Sequence, residues 1–361
     1  MFKQMISVAL LMLLVCKANA TEMLKVVADP LMEPAIYTSL AVSSVLLDVA
    51  MAGQRMIAVG ERGHILYSDS QGESWQQAEV PVSVTLTAVD FATPKKGWAV
   101  GHGQVILTTE DGGLTWKKQM DGISLSKMWQ SHLVEKEGTN DEILLKKYRR
   151  FAEEGADKPF LDVEFIDRRI GYVSGAYGVL LKTEDGGLSW RSVVDLLEHQ
   201  EDRHIYDIEI LGDEIFLAGE MGLVYHSENQ GARFSSLASP TTASLFTVKA
   251  TETQVVLMGL RGTLFVASKG SDHGFQWYQV AIPTEYSLVS AIQNGSRRSL
   301  ILGDAGGGLW SLKLGIKPTV SGLTKNIPYP LASLLEGSDK QSLFAVGLAG
   351  VSKVQGGNSE D

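Results

Sequence analysis

The chain of 361 residues contains one cysteine, Cys16, and no apolar run that approaches the roughly 20 residues of a membrane-spanning helix. A lone cysteine cannot form an intramolecular disulfide or a thiolate metal site, so packing must supply the stability. Basic residues are also outnumbered, because 32 Lys and Arg stand against 42 Asp and Glu, a formal net charge of −10. This balance argues against binding nucleic acid or an anionic lipid surface through a diffuse basic field.

The first 20 residues have the order of a secretory signal peptide. Lys3 precedes an apolar run over residues 6–15, and the small residues Ala18, Asn19 and Ala20 end the segment. We predict cleavage after Ala20, which would leave residues 21–361 as a single exported domain in the periplasm or outside the cell. The alternative is a lipoprotein anchored through Cys16, although Val15 stands where such signals have a small residue.

Pairs of glycines recur along the chain at a nearly constant interval. In each pair an apolar strand ends at the first glycine, two residues follow, and a second glycine or a substitute precedes another apolar strand. The first members lie 40 to 44 residues apart in five intervals and 74 residues apart in the remaining one. The pairs are Gly60 and Gly63, Gly101 with Gln104, Gly175 and Gly178, Gly219 and Gly222, Gly259 and Gly262, Gly303 and Gly306, and Gly347 and Gly350.

This period is typical of a propeller blade, and the long interval contains an insertion of about 30 residues. The sequence therefore predicts an all-β fold, a seven-bladed β-propeller of four-stranded antiparallel blades, with a helical insertion at residues 120–158 between blades 2 and 3. The last blade ends after its third strand, at residues 351–355. We expect Leu24 to Ala28 to pair with that blade, which would remove an open sheet edge and close the ring.

A second motif, Ser/Thr-x-Asp-x-Gly-x-Ser/Thr-Trp, lies between third and fourth strands. Its Asp can accept backbone hydrogen bonds across a tight turn, its Gly can take a positive φ, and its Trp can cover the sheet. Degraded copies occur around Ser70, Asn229 and Asp272, and the last two repeats have lost the motif. The complete copies are Thr109, Asp111, Gly113, Thr115 and Trp116, and Thr183, Asp185, Gly187, Ser189 and Trp190.

These residues resemble the Asp-box, or bacterial neuraminidase repeat. Together with the glycine pairs, over about residues 44–355, the chain resembles the photosystem II stability and assembly factor family of seven-bladed propellers and its non-photosynthetic bacterial relatives. The resemblance implies a binding scaffold without a cofactor that helps to assemble or stabilise membrane protein complexes, and not a catalyst. For this chain we expect a monomer that assists a transporter or another integral membrane complex in the bacterial envelope.

The residues between the paired glycines are the first candidate site. In a propeller these turns surround one mouth of the central channel, on the face opposite the Asp-box turns. Their charges and their tyrosine could bind a polar ligand or a partner loop, or they could be solvated turn residues. The candidates are Glu61, Arg62, His102, Tyr177, Glu220, Arg261 and Asp304.

The insertion is the second candidate, because it must lie on the same face. Residues 141–154 have the apolar spacing and capping residues of a helix, and Met128 to Leu133 predict a shorter helix before it. Long insertions in a compact repeat fold are often functional, although this one could simply cover the ring. Its candidate partner-binding residues are Lys146, Lys147, Arg149 and Arg150.

A third group of polar residues lies in the loop between blades 3 and 4. Imidazoles and carboxylates can share a divalent metal, but the spacing here fits no standard site, so we predict no metal. The residues are Glu198, His199, Glu201, Asp202 and His204.

The enzyme alternative is a sialidase-like glycoside hydrolase, or a carbohydrate-binding propeller, since that fold also carries Asp-boxes. Such catalysis needs an arginine cluster for the substrate carboxylate and a tyrosine nucleophile activated by a glutamate. Arg62 and Arg261 meet the first requirement only loosely, and Tyr177 with Glu220 could imitate the second. We therefore predict a protein-binding scaffold that is not an enzyme.

Overall fold

The computed structural model describes residues 28–136, 141–198, 202–270, 274–294, 296–323 and 326–354. Among these residues, the strands form seven antiparallel sheets, and hydrogen-bonded neighbours in each sheet follow one another in the chain. Each sheet is therefore a meander, and we call the sheets blades 1 to 7. Six blades have four strands and blade 7 has three.

The strands of blades 1 to 4 have the following bounds. Blade 1 contains β1 (Leu46–Ala52), β2 (Arg55–Gly60), β3 (Ile65–Ser68) and β4 (Gln76–Gln77). Blade 2 contains β5 (Leu86–Phe91), β6 (Gly97–Gly101), β7 (Ile106–Thr109) and β8 (Lys117–Met120). Blade 3 contains β9 (Phe160–Phe165), β10 (Gly171–Gly175), β11 (Leu180–Thr183) and β12 (Arg191–Ser192). Blade 4 contains β13 (Ile205–Leu211), β14 (Glu214–Gly219), β15 (Val224–Ser227) and β16 (Ser235–Ser236).

Blades 5 to 7 complete the series. Blade 5 contains β17 (Leu245–Ala250), β18 (Gln254–Gly259), β19 (Leu264–Ser268) and β20 (Gln276–Gln279). Blade 6 contains β21 (Leu288–Asn294), β22 (Ser296–Asp304), β23 (Leu309–Lys313) and β24 (Thr319–Gly322). Blade 7 contains β25 (Leu331–Glu336), β26 (Leu343–Gly347) and β27 (Gly350–Val354).

The second strand of a blade is buried on both of its faces. Every residue of β6, β10, β18 and β26 is buried, whereas first strands such as β9 alternate buried and half-buried positions. Continuous short apolar strands are typical of a sheet covered on both sides. Neighbouring blades supply that cover, so no blade can bury its two faces without the others.

Blades 7 and 1 pack together and close the ring. Leu46 of β1 and Val346 of β26 belong to one apolar cluster, and Lys353 Nζ lies 2.7 Å from Glu73 Oε1. The predicted absence of an outer strand from blade 7 is confirmed for the described residues. The closing strand predicted at residues 24–28 lies outside them except for Ala28, which is not in a strand.

The first glycine pair shows why the turn between second and third strands needs two glycines. A Cβ on Gly60 would lie 2.1 Å from the carbonyl oxygen of Val45, and one on Gly63 would lie 2.1 Å from that of Val82. Gly63 also has φ +72°. The segments that lead into blades 1 and 2 cross the turn at these two points, so a side chain at either glycine would collide with backbone.

Two α-helices stand between β8 and β9 in the chain, α1 (Gly122–Glu135) and α2 (Glu142–Glu154). The second agrees with the predicted helix, and Asp141 Oδ1 accepts the Leu144 amide at 3.0 Å as its cap. The prediction of a short first helix at residues 128–133 was wrong in length. Asp121 and Ser124 form a reciprocal capping box that begins α1 at Gly122.

The helices add a compact aromatic group to the core. The Trp129 ring lies 5.5 Å from that of Tyr148 and 5.0 Å from that of Phe151, and all three side chains are buried. They share one apolar cluster with Phe160 and Val163 of β9. Neither helix, nor any other helix among the described residues, is long and apolar enough to cross a membrane.

The complete Asp-box of blade 2 forms the predicted turn. Asp111 Oδ1 accepts hydrogen bonds from the backbone amides of Leu114 and Thr115, each at 3.0 Å, and Asp111 Oδ2 accepts the Thr115 hydroxyl at 2.6 Å. Gly113 has φ +87°, and the Trp116 indole donates to its carbonyl at 3.1 Å. Burial opposes ionisation of Asp111, but these hydrogen bonds outweigh it and lower its pKa.

The other copies repeat this geometry to different extents. In blade 3 the Asp185 carboxylate accepts the Ser189 amide at 2.9 Å, with Gly187 at φ +84° and Trp190 buried. In blade 4, Asn229 Oδ1 takes the carboxylate's place and accepts the Arg233 amide at 3.1 Å. Ser70 does the same in blade 1 through its hydroxyl, while Asp272 of blade 5 lies outside the described residues.

We expect Asp111→Ala to reduce the free energy of unfolding by about 1–2 kcal/mol. The substitution removes the acceptor of four hydrogen bonds in one turn, the three above and one from the Thr109 hydroxyl at 2.8 Å. Chemical denaturation monitored by tryptophan fluorescence would measure the change. Glu110→Ala is the matched control, because its carboxylate forms only an exposed ion pair with Lys96, and such pairs contribute about 0–1 kcal/mol. Equal losses in the two variants would contradict a structural role for the Asp-box carboxylate.

Candidate functional site

The acidic residues of the glycine-pair turns point toward the protein. Glu61 Oε1 accepts the backbone amide of Val45 at 3.2 Å, and Glu220 Oε2 accepts that of His204 at 3.2 Å. Each of these amides immediately precedes the first strand of the same blade. Both glutamates therefore help to position the start of an inner strand.

Asp304 is also structural, contrary to the expectation that it lies at the channel mouth as a ligand-binding residue. It is 2% exposed, and its Oδ1 accepts the amides of Gly306 and Gly308, each at 2.9 Å. Its Oδ2 accepts the Thr284 hydroxyl and the Trp310 indole N–H. A carboxylate with four intramolecular donors has no free acceptor to offer a partner.

The remaining candidates on these turns face solvent. Arg62, His102 and Arg261 are exposed, and Tyr177 keeps 41% of its surface accessible. Three exposed apolar side chains that were not among the predicted candidates lie on the same turns. They are Met221, Leu260 and Leu348.

The basic cluster of α2 separates into two pairs. Lys147 is buried and lies 3.8 Å from Asp202, and Arg150 Nη1 donates to Asp202 Oδ2 at 2.7 Å. These two residues attach the helix to the segment between blades 3 and 4. Lys146 and Arg149 are exposed and present their charge to the solvent.

A cleft of about 540 Å³ separates α2 from the channel mouth. The Arg150 guanidinium lies 5.0 Å from the centre of the Tyr177 ring, a cation–π arrangement at the rim. From there a row of rings leads inward, with Tyr177 4.9 Å from His204, His204 5.9 Å from Tyr206, and Tyr206 5.3 Å from Phe246. Tyr206 lines both the cleft and the central channel, so the two cavities are neighbours.

His204 connects the turns of blades 3 and 4. Its Nδ1 accepts the Tyr177 amide at 3.0 Å, so the neutral ring carries its proton on Nε2. The predicted polar loop contains this residue, but His199 and Glu201 lie outside the described residues. Across the described parts of the chain, no group of three His, Cys, Asp or Glu side chains has the geometry to hold a metal.

The central channel, a cavity of about 360 Å³, is lined by the first strands of all seven blades. Charged side chains occupy the third or fifth position of these strands: Asp48, Asp90, Asp162, Glu164, Asp207, Glu209 and Lys249. Lys249 Nζ lies 2.6 Å from Glu209 Oε2. One cation thus stands among six carboxyl groups.

Most of these carboxyl groups accept a backbone amide from the next blade. Asp48 Oδ2 accepts Val89 N at 2.9 Å, Asp162 Oδ2 accepts Ile208 N at 2.7 Å, and Asp207 Oδ2 accepts Val248 N at 2.7 Å. Asp90 and Glu209 accept Phe165 N and Ala250 N in the same way. We call this series of contacts between inner strands the seam.

The seam continues through hydroxyl groups where the chain has no acid. Thr247 Oγ1 donates to Val289 O at 2.9 Å, and Ser290 Oγ accepts Leu334 N at 3.0 Å. Ser333 of blade 7 hydrogen-bonds Asp48 of blade 1. Polar side chains therefore join each pair of neighbouring inner strands around the ring.

Burial raises the pKa of Asp48, Asp90 and Asp162 to about 6 in each case, although backbone hydrogen bonds favour the ionised form. Burial and the Glu209 charge raise the pKa of Glu164, and burial also raises that of Asp207. Burial alone would lower the pKa of Lys249, but the surrounding carboxylates outweigh it and raise the value. The channel thus holds its acids in an environment that disfavours further negative charge.

The channel residues were not predicted from the sequence, although a signal was present. The patterns Leu47-Asp48-Val49, Leu161-Asp162-Val163 and Tyr206-Asp207-Ile208 place an acid at one register position of three repeats. An acid inside an otherwise buried strand needs donors, and only a neighbouring strand could supply them.

The channel does not assemble the arginine cluster that a sialidase mechanism requires. Its described lining contains Lys249 as the cation and no arginine. Arg62 and Arg261 belong to turns of blades 1 and 5, at the mouth. Tyr177 contacts His204 through its backbone amide and its ring. Glu220 contacts the same residue by accepting the His204 backbone amide. Neither contact pairs the tyrosine hydroxyl with the glutamate.

Comparisons with known proteins agree with this architecture. A family model described as "Photosynthesis system II assembly factor YCF48" matches residues 67–145 and 144–242. The chloroplast photosystem II stability/assembly factor HCF136 of Arabidopsis thaliana is 24% identical over 285 residues, 69% of this chain and 57% of that protein. The photosystem II assembly lipoprotein Ycf48 of Synechococcus sp. (strain CC9902) is 32% identical over 77 residues, 21% of this chain and 23% of that protein.

Two solved structures share the fold. YCF48 bound to D1 peptide has a TM-score of 0.64 at 13% identity, covering 92% of this chain and 98% of that one. The Niastella koreensis GH74 enzyme has a TM-score of 0.60 at 11% identity, covering 88% of this chain and 53% of that one. The alignments to the curated relatives named above span less than two thirds of their lengths.

Seven antiparallel sheets in a ring with Asp-box turns define a β-propeller of the bacterial neuraminidase repeat class. The matching family model, the curated relatives and the shared fold then give the narrower group. Together these findings support a photosystem II assembly factor-like family of such propellers.

The raised carboxyl pKa values predict a dependence of stability on pH. A group whose pKa rises on folding, from 3.8 to about 6 for Asp90, contributes more stability as pH falls toward 4 and less as pH rises through 6. Asp90→Asn retains an acceptor for the Phe165 amide but cannot ionise. We expect the stability of this variant relative to wild type to be more favourable at pH 7 than at pH 5, by about 1–1.5 kcal/mol.

Urea denaturation at both pH values would measure the difference. Comparison with wild type is needed because burial lowers the pKa of His64 and His226, which changes stability in the opposite direction near pH 6. Asp339→Asn is the control, since hydrogen bonds from Ser342 and Gln341 lower its pKa to about 2, outside this range. An Asp90→Asn difference that is the same at both pH values would refute the assignment.

Proposed function

We propose that this protein is an exported, non-catalytic scaffold that binds a segment of an integral membrane protein and assists assembly of its complex in the bacterial envelope. The observation that carries the proposal is the division of the glycine-pair turns. Glu61, Glu220 and Asp304 are engaged inside the molecule, whereas Arg62, Tyr177 and Arg261 face outward. Such a face offers cations and apolar groups to a partner and contains no assembled catalytic set.

Three further observations support the proposal. The curated relatives are named as assembly factors, and one structure with this fold is described as bound to D1 peptide. The signal-like order of residues 1–20 favours export to the periplasm. Helix α2 adds the exposed charges of Lys146 and Arg149 beside the aromatic cleft. Together these features favour a protein partner on the glycine-pair face.

Charge reversal on α2 tests this function without removing the helices, whose aromatic residues belong to the core. We expect Lys146→Glu with Arg149→Glu to reduce recovery of a membrane partner at least tenfold, because two exposed attractive charges become repulsive. The measurement is cross-linking in cells, solubilisation of the membranes and quantitative mass spectrometry of the purified complex.

Lys95→Glu with Arg168→Glu is the matched control. Both residues are exposed and lie between first and second strands, on the face of the Asp-box turns, so recovery should be unchanged. If wild type recovers no specific integral membrane protein, the proposed function is wrong. The purified protein should not hydrolyse fluorogenic sialosides or other glycosides. Hydrolysis that Tyr177→Phe abolishes would contradict the scaffold function and favour the enzyme alternative.

A further inference from the structure

In four glycine-pair turns the residue immediately before the second glycine is a non-glycine residue in the left-handed region of backbone conformation. These residues are Arg62, Tyr177, Met221 and Arg261, with φ between +52° and +59°. The region favours glycine, and blade 2 has Gly103 at the same position with φ +68°. Glycine therefore suffices for this turn, and the geometry of the turn does not explain the four side chains.

In three consecutive blades the neighbouring blade fixes the conformation of this residue. The Tyr177 amide donates to His204 Nδ1 at 3.0 Å, the Met221 amide to Ser244 Oγ at 3.2 Å, and the Arg261 amide to Ser287 Oγ at 3.4 Å. Each acceptor immediately precedes the inner strand of the next blade. An unfavourable backbone conformation persists only where its surroundings determine it, and such sites are often functional.

The side chains held in this way are exposed and have the composition of an interface. Met221 is 55% exposed and Tyr177 41%, and Leu260 beside Arg261 is 40% exposed. Arg203 Nη1 donates to the Met221 carbonyl at 3.3 Å, which places a second guanidinium next to the methionine. Tyrosine, methionine and arginine are enriched at the centres of protein interfaces.

The charge of this surface differs from that of the whole chain. In the blade 4 turn Glu220 accepts an amide of the protein, whereas Arg261 of the blade 5 turn is exposed and the half-buried Arg203 guanidinium lies beside Met221. The chain as a whole has a formal net charge of −10. A local cationic and apolar surface on an acidic protein is complementary to a segment that carries carboxylates and apolar side chains.

We propose that Tyr177, Met221, Leu260 and Arg261, with Arg203, form a docking arc across blades 3 to 5 for an extended acidic and apolar segment of the partner protein. This proposal rests on the proposed function and specifies the chemistry of the partner. Tyr177, Met221 and Arg261 are the left-handed contact points, and the hydrogen bonds from their amides to the next blade hold each of them in place before the partner arrives.

The test uses immobilised synthetic peptides of 12 residues. All have leucine and phenylalanine at fixed positions, and the remaining positions carry Asp and Glu, Asn and Gln, or Lys and Arg. We expect the purified protein to bind the acidic set most tightly and the basic set least. Met221→Gly and Arg261→Gly should each weaken binding to the acidic set at least tenfold, while the melting temperature stays unchanged or rises because the left-handed residue becomes glycine.

Two residues on the opposite face provide matched controls. Gln71, between third and fourth strands, and Lys340, between first and second strands, are exposed and have φ +54° and +55°. Gln71→Gly and Lys340→Gly relieve the same conformation, and Lys340→Gly removes the same charge as Arg261→Gly. Binding of the acidic peptides should be unchanged in both controls.

Several results would overturn the docking arc. They are equal binding or no binding of the three peptide sets, loss of several degrees of melting temperature in the arc variants, and a dimer of this chain that Arg261→Gly dissociates. If one of these occurs while cross-linking still recovers a membrane protein, the scaffold function stands and the arc is wrong. If the arc binds the acidic peptides but no membrane protein is recovered, the arc stands and the proposed membrane partner is wrong.

Discussion

The ring depends on the seam, in which a polar side chain of one inner strand hydrogen-bonds the backbone of the next. Asp48, Asp162 and Asp207 each accept a backbone amide of the neighbouring blade. Packing of the blades takes both the carboxylate and the amide out of water, and leaving either one without a partner there would be unfavourable. This constraint makes the blades mutually dependent, and it explains why charged residues occupy strands that are otherwise apolar.

The turns on the two faces of the propeller differ in where their hydrogen-bond partners lie. An Asp-box turn is nearly self-sufficient, since the Asp111 carboxylate binds donors within four residues. A glycine-pair turn draws its partners from elsewhere, as when the Tyr177 amide meets His204 of the next blade. The first kind stabilises a single hairpin, whereas the second kind aligns neighbouring blades and fixes the side chains at the channel mouth.

The basic residues of the insertion also divide between structural contacts and solvent. Half of its predicted basic cluster, Lys147 and Arg150, is directed at Asp202 and holds α2 over the segment between blades 3 and 4. The other half, Lys146 and Arg149, remains exposed. Periodicity predicted the helix correctly, because apolar spacing and the Asp141 cap are local properties. It could not separate the two pairs of cations, because Asp202 is distant in sequence and its position depends on the packing of two blades.

The sequence by itself determined the blade count, the Asp-box turns, the second helix and the missing strand of blade 7, because each depends on a short repeated pattern with a local physical cause. Only the tertiary structure decided which charged residues serve the fold and which face solvent. Asp304 was predicted to face the channel mouth, but it is buried and its carboxylate accepts four hydrogen bonds. The channel acids were not predicted as a group. Both outcomes depend on folded geometry. The partners of the channel acids lie on the next blade. The donors to Asp304 converge on it only when its own turn and the Thr284 segment have folded around the carboxylate.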